Sequence, residues 1–356
     1  MLLTIIVVLA VLYFIATLYL SGPDLSMYDT PAAEVFESHD ADEEATKGFL
    51  STIREVRQSV KDGKSLKKGM RTIRKFADEL SDDLETDTLF HEVNANGVRC
   101  EWAVREGSNH QKRILFLHGG AFLFGSPKGH RKFCDKLAKL TNGVVLSVDY
   151  RMLPEHKRGA SIEDSQQAYR WILKNGPEGP SEVEKLVVAG DSAGGNLALM
   201  LSAWSKQGAD KKPDAVVAFS PSTDMTLSSP TIVKHRRSDK ILGEGLGLLS
   251  KIPSPIRAWI GLASMRINPA NPLASPLFQD LSNLAPTLIH ASTNEMLLGE
   301  ANRYVNKARV SGSNIKFQIW KNQIHDWHLF NMGQGSAEEA WSEVNIFLKD
   351  TLQATT

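Results

Sequence analysis

From about residue 90 onward, short apolar runs alternate with longer amphipathic stretches. Val98, Cys100, Trp102 and Val104 interleave with Arg99, Glu101 and Ala103. A repeat of two predicts a strand with one better-buried face. Residues 113–117, 143–148, 185–189, 215–219, 287–291 and 315–320 are almost wholly apolar, which predicts strands covered on both faces. Helical stretches are expected at 129–140, 162–173 and 196–201. A last helix is expected to start near Ser336, with Glu339 completing a capping box and Ala340, Val344 and Phe347 facing the sheet. Strand and helix in alternation predict an α/β fold around a mostly parallel sheet with helices on both faces.

The first 90 residues follow another pattern. MLLTIIVVLAVLYFIATLYL carries no charge, and as one helix it would run about 30 Å, the depth of a bilayer core. It lacks the basic leader and small-residue exit of a cleaved signal. The expectation is an uncleaved transmembrane anchor over residues 1–22, a single-pass membrane protein whose orientation stays open, or else a docked N-terminal helix. Asp24, Asp29, Glu34, Glu37, Asp40, Asp42, Glu43 and Glu44 precede the first lysine, Lys47. Nine basic residues between Arg54 and Lys75 are interleaved with Ile53, Val56, Val60, Leu66, Met70 and Ile73. They predict two amphipathic helices broken near Asp62 and Gly63. These would pack over the body as a cap, lie on anionic headgroups, or form a solvated face. The division expected is an anchor (1–22), an acidic linker with cap helices (23–90) and an α/β domain (91–356).

Composition narrows the choice of partner. The 356 residues balance 41 basic against 41 acidic side chains, which gives no reason to expect nucleic acid. Two cysteines, Cys100 and Cys134, have no metal-ligand spacing and read as small buried hydrophobes, with one disulfide left open. No metal or cofactor is called for.

The chemistry concentrates in two glycine-rich turns. Gly190-Asp191-Ser192-Ala193-Gly194 lies between an expected strand and an expected helix. That context marks a nucleophile elbow, with the glycines admitting a crowded turn and the helix N-terminus lying beneath Ser192. His118-Gly119-Gly120 follows another strand. Amides there, with that of Ala193, would bind an oxyanion, so the expected donors are Gly119, Gly120 and Ala193. His118, at the loop start, is expected to brace the loop.

These segments resemble the hormone-sensitive lipase-like (bacterial family IV) branch of the α/β-hydrolases, which includes arylacetamide deacetylase-type esterases. The matching pieces are HGGAFLFGSPKGH (118–130), DYRMLPEHKRGASIEDSQQAYRWI (149–172), GDSAGGNLA (190–198), FSPSTDMT (219–226), NPLASPLF (271–278), NEMLLGEA (294–301) and IHDWHLF (324–330). The resemblance implies the α/β-hydrolase fold with a helical cap, and a serine carboxylesterase acting on short- to medium-chain esters through an acyl-enzyme. It implies His325 as base and, where the family usually carries aspartate, Glu295 as acid; Glu300 and Asn294 compete for that position, and an unusual role for Asp326 stays open. Glu155, Asp191 and Asp224 fall at supporting positions. An amidase using the same residues and a non-catalytic binding protein of this fold stay open as alternatives. The partner implied is a small or lipid-like ester.

Overall fold

The computed structural model describes residues 1–356 except 32–34, 37–42, 63–64, 209–210, 334 and 354–356. Gly63 and four acidic residues before Lys47 (Glu34, Glu37, Asp40 and Asp42) therefore lie outside the described residues. The strands are β1 (Val35–Phe36), β2 (Leu89–Ala95), β3 (Val98–Val104), β4 (Lys112–Leu117), β5 (Val144–Val148), β6 (Asn175–Gly176), β7 (Gly179–Pro180), β8 (Lys185–Asp191), β9 (Ala215–Phe219), β10 (Thr287–Ser292) and β11 (Ile315–Trp320). The helices are α1 (Leu2–Ile15), α2 (Glu43–Asp62), α3 (Leu66–Asp78), α4 (Arg131–Thr141), α5 (Arg158–Lys174), α6 (Ala193–Ser205), α7 (Thr231–Lys234), α8 (Leu246–Leu249), α9 (Ser254–Met265), α10 (Leu298–Val310), α11 (Trp327–Phe330) and α12 (Gly335–Gln353).

Among the described residues, nine strands form one sheet in the order β1-β11-β10-β9-β8-β4-β5-β3-β2. β3 runs antiparallel to both β5 and β2, while the pairings from β1 through to β5 are parallel. The apolar runs divide by parity, as a period of two requires. Leu115, Leu146, Val188, Val216 and Ile289 join one core with Tyr169, Leu197 and Tyr304 from α5, α6 and α10. Ile114, Val145, Val187, Val217 and Leu288 join the other with Phe133, Trp341 and Val344 from α4 and α12. Helix α12 begins at Gly335, so Ser336 lies within its first residues rather than ahead of it. Cys100 and Cys134 are buried and unbonded, and burial raises both thiol pKa values.

The expected single-pass anchor is overturned. Helix α1 spans 14 residues, about 21 Å at 1.5 Å per residue, against about 30 Å of bilayer core. The next residues, Ala16–Leu20, wind as a π-helix and dock on the body. Ala16 and Leu20 pack with Ala258, Trp259 and Leu262 of α9. Trp259 Nε1 donates to Leu12 O at 3.1 Å, and Asn268 Nδ2 to Tyr19 O at 2.7 Å. No described helix is long and apolar enough to cross a membrane.

Helices α2 and α3 fasten to the C-terminal edge of the sheet. Phe49 stacks on Phe330 of α11 at 4.0 Å, and Arg57 Nη2 donates to Ile241 O at 2.7 Å. Arg74 of α3 donates from Nε to Leu123 O and from Nη2 to Leu153 O, both at 2.9 Å, and its fork grips Glu155 at 2.9 and 2.8 Å.

Candidate active site

Three strand ends converge at one point. Ser192 occupies the bend between β8 and α6 with φ 50° and ψ −111°, backbone that a non-glycine residue adopts only when its surroundings impose it. The constraints are visible. Ser192 N–H donates to Phe219 O at 2.7 Å, and Ser222 N–H to Ser192 O at 3.2 Å. A side chain at Gly194 would collide with Leu117 O. Ser192 is 8% exposed.

His325 sits between β11 and α11, with Nε2 2.9 Å from Ser192 Oγ. Glu295, beyond the end of β10, brings Oε1 to 3.4 Å from His325 Nδ1. The same Oε1 accepts the hydroxyl of Ser220 at 2.5 Å. Sequence reasoning missed Ser220. It directly follows β9 with φ 43° and also receives the Asp326 amide at 3.4 Å. Its signals in the sequence were its place directly after an apolar strand and within the matched segment 219–226. The rival Glu300 faces elsewhere: its carboxylate accepts the Thr223 and Asp224 amides at 2.7 and 3.2 Å and the Ser222 hydroxyl at 3.0 Å. Asp224 braces its own loop by accepting from Thr226 and Ser228.

The glycine loop differs from expectation at one position. The Gly119 amide donates to Asp191 Oδ1 at 2.9 Å, so it is engaged by the protein and is not a vacant oxyanion donor. A side chain at Gly119 would strike Asp191 Oδ2, and one at Gly120 (φ 109°) would strike Phe124 O. The protein's own atoms therefore demand both glycines. The amides of Gly120, Ala121 and Ala193 have no acceptor among the described residues. That of Ala193 is free because it opens α6.

His118 does not face Ser192 by any hydrogen bond. Its Nδ1 lies 2.7 Å from Gly119 O; a carbonyl only accepts, so Nδ1 carries the hydrogen. Its ring stacks on Tyr150 at 4.2 Å, and Tyr150 donates to His118 O at 2.6 Å. Behind the loop, His130 Nε2 is 3.4 Å from Asp191 Oδ2. Glu155 reaches the loop through Arg74, which donates to Leu123 O and to the Glu155 carboxylate.

The pattern of the alpha/beta hydrolase fold family matches residues 114–329. The chain belongs to that family. An esterase of Acinetobacter venetianus is 30% identical over 255 residues, covering 72% of this chain and 80% of the relative. The carboxylesterase/phospholipase LipF of Mycobacterium tuberculosis is 31% identical over 262 residues, 72% of this chain and 65% of LipF. The crystal structure of an esterase from the bacterial hormone-sensitive lipase family superposes with a TM-score of 0.73 at 26% identity, covering 87% of this chain and 99% of that one. The chain is a carboxylesterase of the hormone-sensitive lipase-like branch.

In this esterase the site's histidines divide by charge. Burial opposes charge on His325, but Asp326 and Glu295 outweigh it and hold its pKa well above the ordinary imidazole value. Burial likewise opposes charge on His130, which Asp191 overcomes, raising it. Burial takes His118 down to about 3, with His130 adding to the effect, and takes His290 down to about 3. His290 and His328 meet at 2.9 Å, and burial with His290 holds His328 well below the usual value. His118, His290 and His328 therefore serve as neutral packing groups.

Proposed function

We propose that Ser192 is the nucleophile, His325 its base and Glu295 the acid behind the base, in an acyl-enzyme mechanism on short- to medium-chain carboxylic esters. The observation that carries the proposal is the 2.9 Å approach of His325 Nε2 to Ser192 Oγ at a left-handed strand-to-helix bend. Ser192 attacks the acyl carbonyl while His325 takes its proton, and Glu295 on the Nδ1 side favours the imidazolium that forms. The tetrahedral oxygen collects charge facing the Gly120 and Ala193 amides, with Ala121 next along the loop. His325 then protonates the leaving alcohol, and water repeats the sequence on the acyl-enzyme. The resemblance to the hormone-sensitive lipase-like branch supports short to medium acyl groups. Helices α2 and α3, fastened to α11, to Leu123 and to Leu153, form part of the cover over the site.

The test is a p-nitrophenyl ester series from acetate to palmitate, run on wild type, Ser192→Ala, His325→Ala and Glu295→Ala. Turnover should peak at the short or middle esters, and Ser192→Ala and His325→Ala should each lose on the order of 10⁴-fold or more in kcat. Near-normal turnover in Ser192→Ala would refute the nucleophile assignment.

A further inference from the structure

That mechanism leaves Asp326 without a task, yet its carboxylate lies against the reacting nitrogen. Asp326 Oδ2 is 3.1 Å from His325 Nε2, the same atom that Ser192 Oγ approaches at 2.9 Å. A ring nitrogen carries one hydrogen or one lone pair, so Asp326 and Ser192 contend for it. Asp326 is 5% exposed, and its other oxygen, Oδ1, is buried with no hydrogen-bond partner among the described residues. His325 is thus the partner on which this buried carboxyl depends.

Resting on Ser192 as nucleophile and His325 as base, we infer that Asp326 is a positioning residue that keeps a proton on His325 in the resting site and sets the pH above which the base can act. While a proton lies between Nε2 and Oδ2, Nε2 has no lone pair for the Ser192 hydroxyl. The base forms only when that proton leaves to solvent. Other groups bear on the pair from each side. Glu295 faces Nδ1 from beyond β10 and favours the imidazolium. Asp191 at the end of β8 and Glu295 both oppose negative charge on Asp326, and burial, the largest influence, pushes the same way. His130, ahead of α4, feels the Asp326 charge and in turn favours it. His328 on α11 is held neutral by burial and adds no charge. Both His325 and Asp326 are displaced upward, so the pair releases its proton above the range of an isolated imidazole, about 6.5. The sign follows: the base is absent below the raised pKa and appears as pH rises through it.

Asp326 has φ 55°, left-handed backbone that aspartate and asparagine tolerate better than other side chains, so Asp326→Asn keeps the turn and removes the charge. The experiment is the rate of Ser192 modification by a fluorophosphonate against pH, for wild type and Asp326→Asn, with intact mass counting adducts. The wild-type midpoint should lie above about 6.5, and the variant's should fall by about one pH unit or more. At a pH below both midpoints, that is about a tenfold faster modification relative to each protein's alkaline plateau. A midpoint unmoved by the substitution overturns the inference while leaving the nucleophile in place. No adduct on wild type at any pH overturns the nucleophile assignment and this inference with it. Independently of any variant, the downfield imidazolium N–H resonance of wild type should persist above about pH 7, and its loss at ordinary imidazole pH overturns the inference.

Discussion

Gly119 and Gly120 look alike in the sequence and do different work. Both were expected to point amides at an oxyanion. The register explains the difference: Leu117 of β4 lies opposite Gly190 of β8, so the residues just beyond, Gly119 and Asp191, meet. Strand order was not legible from the sequence, and without it Asp191 could not be placed beside Gly119. Ser192 was legible from its strand-to-helix context and His325 from the resemblance, whereas Ser220 and Asp326 lay inside matched segments that gave no sign of what their side chains would touch. Gly119→Ala should displace the Asp191 carboxylate and move the loop, costing on the order of 10²-fold in kcat, the scale of one lost oxyanion donor. Initial rates on p-nitrophenyl acetate check this, and undiminished kcat would show that the Asp191 contact does not set the cradle.

At the scale of elements, strands covered on both faces were easy to read, because most of their positions are apolar and the few polar ones, such as Ser147 and His290, stand singly within the run. β2 was missed, since exposed His91 and Glu92 sit among its residues and break the run. Helices α7 to α10 were missed too: α7 and α8 span four residues each, and buried polar Asn302, Arg303 and Asn306 interrupt the apolar pattern of α10. The first twenty residues misled for a different reason. Absence of charge gave a length in residues, but the chain changes winding at Ala16 and turns its next residues onto α9. Trp259→Ala removes the bond to Leu12 O and the wall against Ala16 and Leu20. It should expose the segment before Gly22 to proteolysis well before the body unfolds, and an unchanged cleavage rate would contradict that docking. Arg74→Ala frees the Leu123 and Leu153 carbonyls together. The Arg74–Glu155 pair is partly exposed, so stability should change by less than about 1 kcal/mol while kcat/KM falls several-fold.

The whole molecule is a sheet clamped between two cores, and one of them is closed by Trp341, packed on Phe133 at 5.2 Å and Phe219 at 5.1 Å. Trp341→Ala should cost about 3–5 kcal/mol, read as a lowered urea midpoint. Three imidazoles, His118, His290 and His328, have pKa values depressed by burial. Unfolded, each binds a proton below about 6.5, so stability is lost as pH falls through that value. Glu300 and Asp326, buried carboxyls whose pKa values are raised, act in the opposite sense, so the imidazole share is read by difference: in His290→Asn the melting temperature should fall less steeply than in wild type between about pH 6.5 and 4.5, and equal slopes would refute it.

The bond from Gly119 to Asp191 ties two distant stretches of chain into one part. Asp191 immediately precedes Ser192, so any shift of the β8 tip carries the Ser192 hydroxyl and the glycine loop together. A chimera that imports residues 118–125 from another hydrolase without 190–195 would therefore break an alignment that neither segment holds alone, and the two are exchanged usefully only as a matched set.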